Sequence, residues 1–318
     1  MAKYGLVVCT TDNLGDDIQS VAAMQYLPRV DTYVFRDYPN YVNSDEPVKT
    51  IFNGWLTHRP ENWPPSPILL PLYISIHIDP KISEKFLSKD VLNHFKKFEP
   101  IGCRDLNTVK ILRKKGIKAY FSGCLTLTLD YKYSKYKNKE KHKNILVVDV
   151  PKCLVDILKN KVKKNEINVL THTYSNIRTI CKIWNKIPAN IKNLAYCITV
   201  GKPYSIINAI SPIQKRLRKA EKMIKAYLNT KLIITTRLHV ALPAVAFGIP
   251  VVFLANDLTN PRFSGLLKFM HSCSFTEFKK KIDNFDLETP PENPNKGELK
   301  IIKRQLIKIC KRFINSTV

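Results

Sequence analysis

Apolar and polar positions fall in alternating blocks along most of this chain. Short aliphatic runs give way to stretches with apolar residues every three or four positions. Strands buried on both faces read as near-continuous apolar runs, and covering helices show the 3.6-residue period, so the pattern predicts an α/β fold. In the first half, strands are expected at 4–10, 32–35 and 100–103, with helices at 16–27, 83–95 and 106–115. Asp105 stands where a helix N-cap belongs and Gly116 where that helix stops. In the second half, strands are expected at 144–150, 167–171, 232–236 and 251–254. Helices are expected at 154–162, 177–184 and 212–228, and in the apolar stretch after His239 that stops at Gly248.

Residues 131–143 (YKYSKYKNKEKHK) break the alternation with lysines and tyrosines and read as a solvated interdomain linker. Interleaved basic and aromatic residues also suit stacking on nucleic-acid bases, but one short segment is thin support for that. A loop at 285–297 precedes a basic amphipathic helix at 299–314, with Leu299, Ile302, Leu306, Ile309 and Phe313 aligned. Such a helix packs its stripe on its own protein or lies on an anionic membrane, and packing is the default. The expected organisation is an N-terminal Rossmann-like domain at 1–135, a C-terminal one at 143–275, and a tail at 276–318.

Composition changes this picture little. A chain of 318 residues with 44% hydrophobic content is long and apolar enough for two folded domains. Its 52 Lys+Arg against 26 Asp+Glu give a net charge of +26, which invites an anionic partner. Much of that excess is Lys set among Ile and Asn, the bias of AT-rich coding, so the charge is weak guidance. The eight cysteines have no CxxC spacing, and His271 with Cys273 is too sparse for zinc; buried reduced thiols and no metal are expected. The N-terminal residues do not read as a signal peptide, and the apolar window 232–255 holds Arg237, His239 and two prolines, which argues against a membrane span. A cytoplasmic protein is the expectation.

Candidate chemistry collects where strands meet helices. Arg237 and His239 follow the strand at 232–236, and the helix after them offers unpaired N–H groups. Such an edge suits a phosphate or carboxylate beside a group that titrates near neutrality. Structural bonds inside a buried βαβ unit are the plain alternative. Arg104 ends its own short strand at the equivalent position, so two arginines would converge on one cleft; a bond to Asp105 is the competing reading. Asn13-Leu14-Gly15-Asp16-Asp17 opens a helix, where Gly15 allows a tight turn and an Asp caps the helix or binds a sugar hydroxyl. It is not GxGxxG, so a dinucleotide site is unsupported. Asn53, Gly54 and Trp55, with His58, Arg59 and Trp63, read as a long aromatic and amide-rich loop suited to stacking on sugars, or as a rigid loop with its tryptophans folded inward. Arg262 offers a further positive charge after the strand at 251–254.

Taken together, five segments resemble the polysaccharide pyruvyl transferase family. They are NLGDDIQS (13–20), NGW…HRPENWPPS (53–66), IGCRDLNTVKILRKKGIKAYFSGCLTLTL (101–129), TTRLHVALPAVAFGIPVVF (235–253) and NPRFSGLL (260–267). The resemblance implies two Rossmann-like domains facing across a cleft, as in glycosyltransferase-B enzymes. It also implies transfer of pyruvate from phosphoenolpyruvate to a sugar as a cyclic ketal. By that resemblance Arg237, Leu238 and His239 are active-site residues and Arg104 belongs to the donor site. Arg262, Asn13, Asp16, Asn53 and Trp55 complete the expected substrate-binding set. The implied partners are phosphoenolpyruvate and a saccharide acceptor, with no separate cofactor and no nucleic acid. A glycosyltransferase using a sugar nucleotide is the nearest alternative, and a non-catalytic polyanion-binding protein is the alternative of another class.

Overall fold

The computed structural model describes residues 2–9, 11–42, 44–137, 144–162, 166–174 and 212–316. Two parallel sheets carry the fold. The first comprises β1 (Lys3–Val8), β2 (Thr32–Phe35), β3 (Val48–Trp55), β4 (Leu69–His77), β5 (Ile101–Cys103) and β6 (Ala119–Phe121), in the order β2-β1-β3-β4-β5-β6. The second comprises β7 (Ile145–Val148), β8 (Ile167–Leu170), β9 (Leu232–Thr235), β10 (Val251–Leu254) and β11 (His271–Cys273), in the order β11-β10-β9-β7-β8. Every neighbouring pair in both sheets is parallel. The chain is therefore built of two parallel-sheet α/β halves.

Each order reverses once, at β1/β3 in the first sheet and at β7/β9 in the second. Ligands of open α/β sheets bind outside the carboxyl ends of the strands at such reversals. The helices packed there are α1 (Leu14–Met24), following β1, and α8 (Leu238–Ala246), following β9. Between them in sequence come α2 (Ser83–Phe86), α3 (Lys89–Lys97), α4 (Leu106–Lys114), α5 (Asp130–Tyr133), α6 (Lys152–Lys161) and α7 (Ile213–Tyr227). Two more follow, α9 (Phe275–Lys281) and α10 (Lys296–Asn315).

One buried apolar cluster joins the halves: Leu6 and Val8 of β1, Ile18 of α1, Ile224 of α7, Ile233 of β9 and Phe253 of β10 all belong to it. Helix α10 returns to the first half, with Leu299, Ile302 and Leu306 in the same cluster. Lys49 Nζ, on buried β3, donates to the Phe313 and Ile314 carbonyls at 3.1 and 3.3 Å and so cancels the open C-terminal end of α10. Polar contacts tie α1 to α7 as well. Asp17 accepts from Arg216 Nη2 at 3.0 Å and from Tyr174 Oη at 2.9 Å.

Several expectations need correction. Residues 53–55 are not loop but the end of β3, and Trp63 folds inward against Phe86 and Phe52, with ring centroids 5.0 and 5.8 Å away. The helix expected at 83–95 breaks into α2 and α3, because Ser88 Oγ caps the Val91 N–H. The start of the supposed linker is a helical turn: Tyr133 is buried and its hydroxyl donates to Glu221 at 2.7 Å. Residues 138–143 and the helix expected at 177–184 lie outside the described residues, as do Cys181 and Cys197. The other six cysteines are free thiols, four of them buried.

Candidate active site

A pocket of about 170 Å³ opens where the carboxyl ends of both sheets meet. From the first half it is lined by Asn13, Gly15, Asp16 and Gln19 of the β1–α1 turn and α1, by Trp55 at the end of β3, and by Arg104 after β5. From the second half come Thr236, Arg237, Leu238 and His239 between β9 and α8, with Arg262 after β10.

The turn after β1 is fixed from both sides. Asn13 caps α1, its Oδ1 accepting from Gly15 N at 3.0 Å, and forms an antiparallel bridge with Thr173. Leu14 N donates to the His172 carbonyl at 2.8 Å. Gly15 is here for space rather than for a turn. A Cβ on it would stand 3.0 Å from His239 Cβ and 3.2 Å from His239 Nδ1, so the histidine would have to shift by a few tenths of an ångström. Gly54 serves Gln19 in the same way, with a φ of +104° and a Cβ position 3.0 Å from Gln19 Oε1.

Arg237 is the N-cap residue of α8 and makes no side-chain cap, and the first turn is kinked at His239 (φ −85°, ψ +16°), so the start of this apolar helix lines the pocket with its first amides uncapped. Its guanidinium is partly committed: Nε donates to Asp149 Oδ2 at 2.6 Å and Nη2 to Thr173 Oγ1 at 3.2 Å. Asp149 holds a left-handed conformation, φ +52°, to reach it. The structural-bond reading is thus partly right for Arg237.

Arg104 and Arg262 differ from it. Arg104 is buried, yet its Nε has no hydrogen-bond partner among the described residues, and the Asp105 carboxylate is 4.0 Å away. That carboxylate already serves His77 Nδ1 at 2.6 Å and the Thr108 N–H at 2.8 Å. Arg262 sits on a one-turn helix (Pro261–Phe263), and its Nε is likewise unpartnered. The Leu106 N–H donates to the Ser264 carbonyl at 3.2 Å, and the Asn107 N–H to Ser264 Oγ at 3.1 Å, which docks this turn on the start of α4 and brings Arg262 near Arg104. Burial, then Arg104 and Arg237, lowers the Arg262 pKa. Three arginines gathered here, only one of them in a close ion pair, suit an anionic ligand.

His239 completes the arrangement. Its Nε2 is buried without a partner among the described residues, and burial, reinforced by Arg104 and Arg262, pushes its pKa down to about 3. The sequence suggests a group titrating near neutrality; burial among arginines takes His239 well below that. Burial would raise Asp16, but Arg36 and the Thr11 hydroxyl, 2.6 Å away, hold it ionised below the usual carboxylate range. His172 lies behind the pocket wall, bonded through Nε2 to the Tyr227 hydroxyl at 2.6 Å, and is also pushed down to about 3 by burial.

A family model for polysaccharide pyruvyl transferases matches residues 13–257, from the Asn13 cap to just past β10. The chain belongs to the polysaccharide pyruvyl transferase family. No curated protein is significantly similar to this pyruvyl transferase family member. Among solved structures it is similar to an uncharacterised protein of Klebsiella pneumoniae (15% identity, 86% of this chain and 93% of that chain, TM-score 0.47). A UDP-N-acetylglucosamine 2-epimerase is also similar (11% identity, 98% of this chain and 96% of that one, TM-score 0.46). A glycosyl transferase family 9 protein of Veillonella parvula matches more loosely (11% identity, 98% and 97% coverage, TM-score 0.30). Likeness at these levels carries nothing about activity.

Of the site residues expected from sequence, all but Asn53 line the pocket of this family member. Asn53 Nδ2 instead donates to the Gln19 carbonyl at 2.9 Å, supporting α1 from behind. Gln19 and Thr236 were missed. The family segment NLGDDIQS contains Gln19, and a helical turn from Asp16 would have placed both on one face.

Proposed function

We propose that this transferase moves pyruvate from phosphoenolpyruvate onto two hydroxyls of a saccharide, as a cyclic ketal. In this reading the two α/β halves, 1–135 and 143–275, face each other across the cleft in a glycosyltransferase-B-like manner, and the tail 276–318 braces the first half. The observation that carries it is the pair of unpartnered arginine Nε groups, Arg104 and Arg262, beside the unpartnered His239 Nε2. Phosphoenolpyruvate brings a phosphate and a carboxylate, which match two arginines and the amides of α8. A pocket of about 170 Å³ is small against the ~300–1,000 Å³ usual for drug-sized ligands, which favours a three-carbon donor over a sugar nucleotide.

The chemistry then runs on this chain's side chains. A bound dianion beside His239 offsets the arginines and raises the histidine's pKa, so binding loads Nε2 with a proton. His239 gives that proton to the donor's methylene carbon, which becomes a methyl group while positive charge develops at C2. A saccharide hydroxyl adds to C2, and its proton passes to the now neutral His239. Phosphate leaves with the C2–O bond pair, a neighbouring hydroxyl closes the ketal, and its proton goes to solvent. General acid–base help of this kind is commonly worth about 10² to 10⁴ in rate. Trp55, its ring edge on His77 with centroids 4.7 Å apart, and Asp16 are the acceptor-side groups. The test supplies phosphoenolpyruvate with a panel of saccharide acceptors and follows inorganic phosphate. Acceptor-dependent phosphate release that stops in His239→Ala supports the reading. Turnover of a sugar nucleotide in its place would refute it.

A further inference from the structure

Away from the pocket, one basic surface runs over three elements. An α-helix turns about 100° per residue, so Lys300, Arg304, Lys308, Lys311 and Arg312 fall within an arc of about 120° on α10. All five are exposed, opposite the buried stripe that includes Leu299, Leu306 and Cys310. Lys311 lies over the Tyr131 ring, 4.9 Å from its centroid, and Lys225 of α7 lies over Tyr136 at 4.3 Å. The turn at 131–137 therefore links the basic face of α10 to that of α7, where Lys222 is also exposed. Asp130 and Glu221 beside it are already bonded to Lys303 and to the Tyr133 hydroxyl. Lys300, Arg304, Lys308 and Arg312 have no acidic partner among the described residues.

Cations alone suit any polyanion. Here they surround Ile301, which is 56% exposed within the same arc, and two tyrosines that are each 46% exposed. An aliphatic tip and half-buried phenol rings among lysines match a boundary where charge overlies an apolar layer. The outer face of a helix is convex and offers no groove to track a nucleic-acid strand. We infer that this face docks the protein on the anionic phospholipid headgroups of a bilayer. Docking is peripheral: among the described residues, no helix is long and apolar enough to cross a membrane. The inference is independent of the donor reading, since none of these residues lines the pocket.

The test is co-sedimentation of the full chain with vesicles of phosphatidylcholine containing phosphatidylglycerol, against vesicles of phosphatidylcholine alone. The protein is expected to bind the anionic vesicles, not the neutral ones, and to release as salt rises. Each surface cation is worth about fivefold in partitioning. The triple variant Lys300→Gln, Arg304→Gln, Lys308→Gln is thus expected to lose on the order of a hundredfold, with its melting midpoint unchanged. Ile301→Ala is expected to weaken binding without altering net charge, which a purely electrostatic contact would not do. No binding to anionic vesicles, equal binding to neutral ones, or full retention in the triple variant overturns the inference. So does tighter binding to a single-stranded oligonucleotide than to the vesicles, lost in the same triple variant, which would assign the face to nucleic acid.

Discussion

Replacing Arg104 by Met has two effects of opposite sign, and both follow from its surroundings. The side chain is 2% exposed, its Nε is unpartnered, and its one close carboxylate is already shared between His77 and the start of α4. A buried ion without a close partner pays desolvation that an apolar group of similar volume does not, whereas removing a true partner of a buried carboxylate costs about 3–5 kcal/mol. With no donor present we expect a gain of about 1–2 kcal/mol. For a chain of this size that is roughly 2 °C per kcal/mol, or a rise of about 2–4 °C in Tm. The second effect is on binding. A charge-assisted hydrogen bond contributes about 1.5–3 kcal/mol, so losing it weakens phosphoenolpyruvate by roughly 10- to 100-fold. At a donor concentration near 100 Kd the wild type gains about 2.7 kcal/mol, and the variant keeps only about 0.4–1.4 kcal/mol of it. Paired melts with and without donor measure both effects, and NMR titration adds a third, since His239 should rise from about 3 once Arg104 no longer repels its proton. A variant destabilised by about 3 kcal/mol without ligand would refute the reasoning, because Arg104 would then be a structural partner of Asp105.

Other consequences are as direct. His239→Gln should lower turnover by about 10²- to 10⁴-fold with little change in Tm, and near-normal turnover would remove it from the chemistry. Gly15→Ala gains about 1 kcal/mol of helix propensity but pushes on His239 at 3.0 Å, so activity should fall while stability barely changes. Asp149→Asn loosens Arg237, which it holds at 2.6 Å; donor affinity should drop by more than the melting midpoint does. The pH dependence follows from His239 and His172, both held near 3 in the fold against 6.5 when free. Between those values the unfolded chain takes up protons that the folded one refuses. Their contribution is therefore complete above pH 6.5 and is lost as pH falls, by up to about 1.4 kcal/mol per pH unit for each histidine. Thermal melts between pH 7 and 6 should show this slope, flattened for His239 when phosphate is bound; below pH 6, Asp17, raised to about 6 by burial, takes up a proton in the fold and offsets part of it.

The two halves were legible because parallel strands buried on both faces leave unbroken aliphatic runs, as at 232–235 and 251–254. Strand β3 was not, since VKTIFNGW carries Lys49 and Asn53 at buried positions. Their partners are the end of α10 and the Gln19 carbonyl, 264 and 34 residues away along the chain, and no local pattern reveals such pairings. The break at Ser88 was written in the sequence as a good N-cap but was masked by apolar spacing that continued through it. Arg104 and Arg237 were found because each ends a strand and opens a helix, a position with a physical meaning of its own. What local sequence could not show was their difference: Asp149 engages one and leaves the other free.

Arg104, Arg262 and Arg237 are proposed to bind phosphoenolpyruvate together. The most direct measurement is isothermal titration calorimetry of phosphoenolpyruvate, repeated in two buffers that differ in ionisation enthalpy. One site per chain is expected, with proton uptake in the wild type below pH 7. No uptake is expected in His239→Gln, and no measurable binding in Arg104→Met combined with Arg262→Met. Absence of binding at millimolar donor, or binding that survives loss of both arginines, would contradict it.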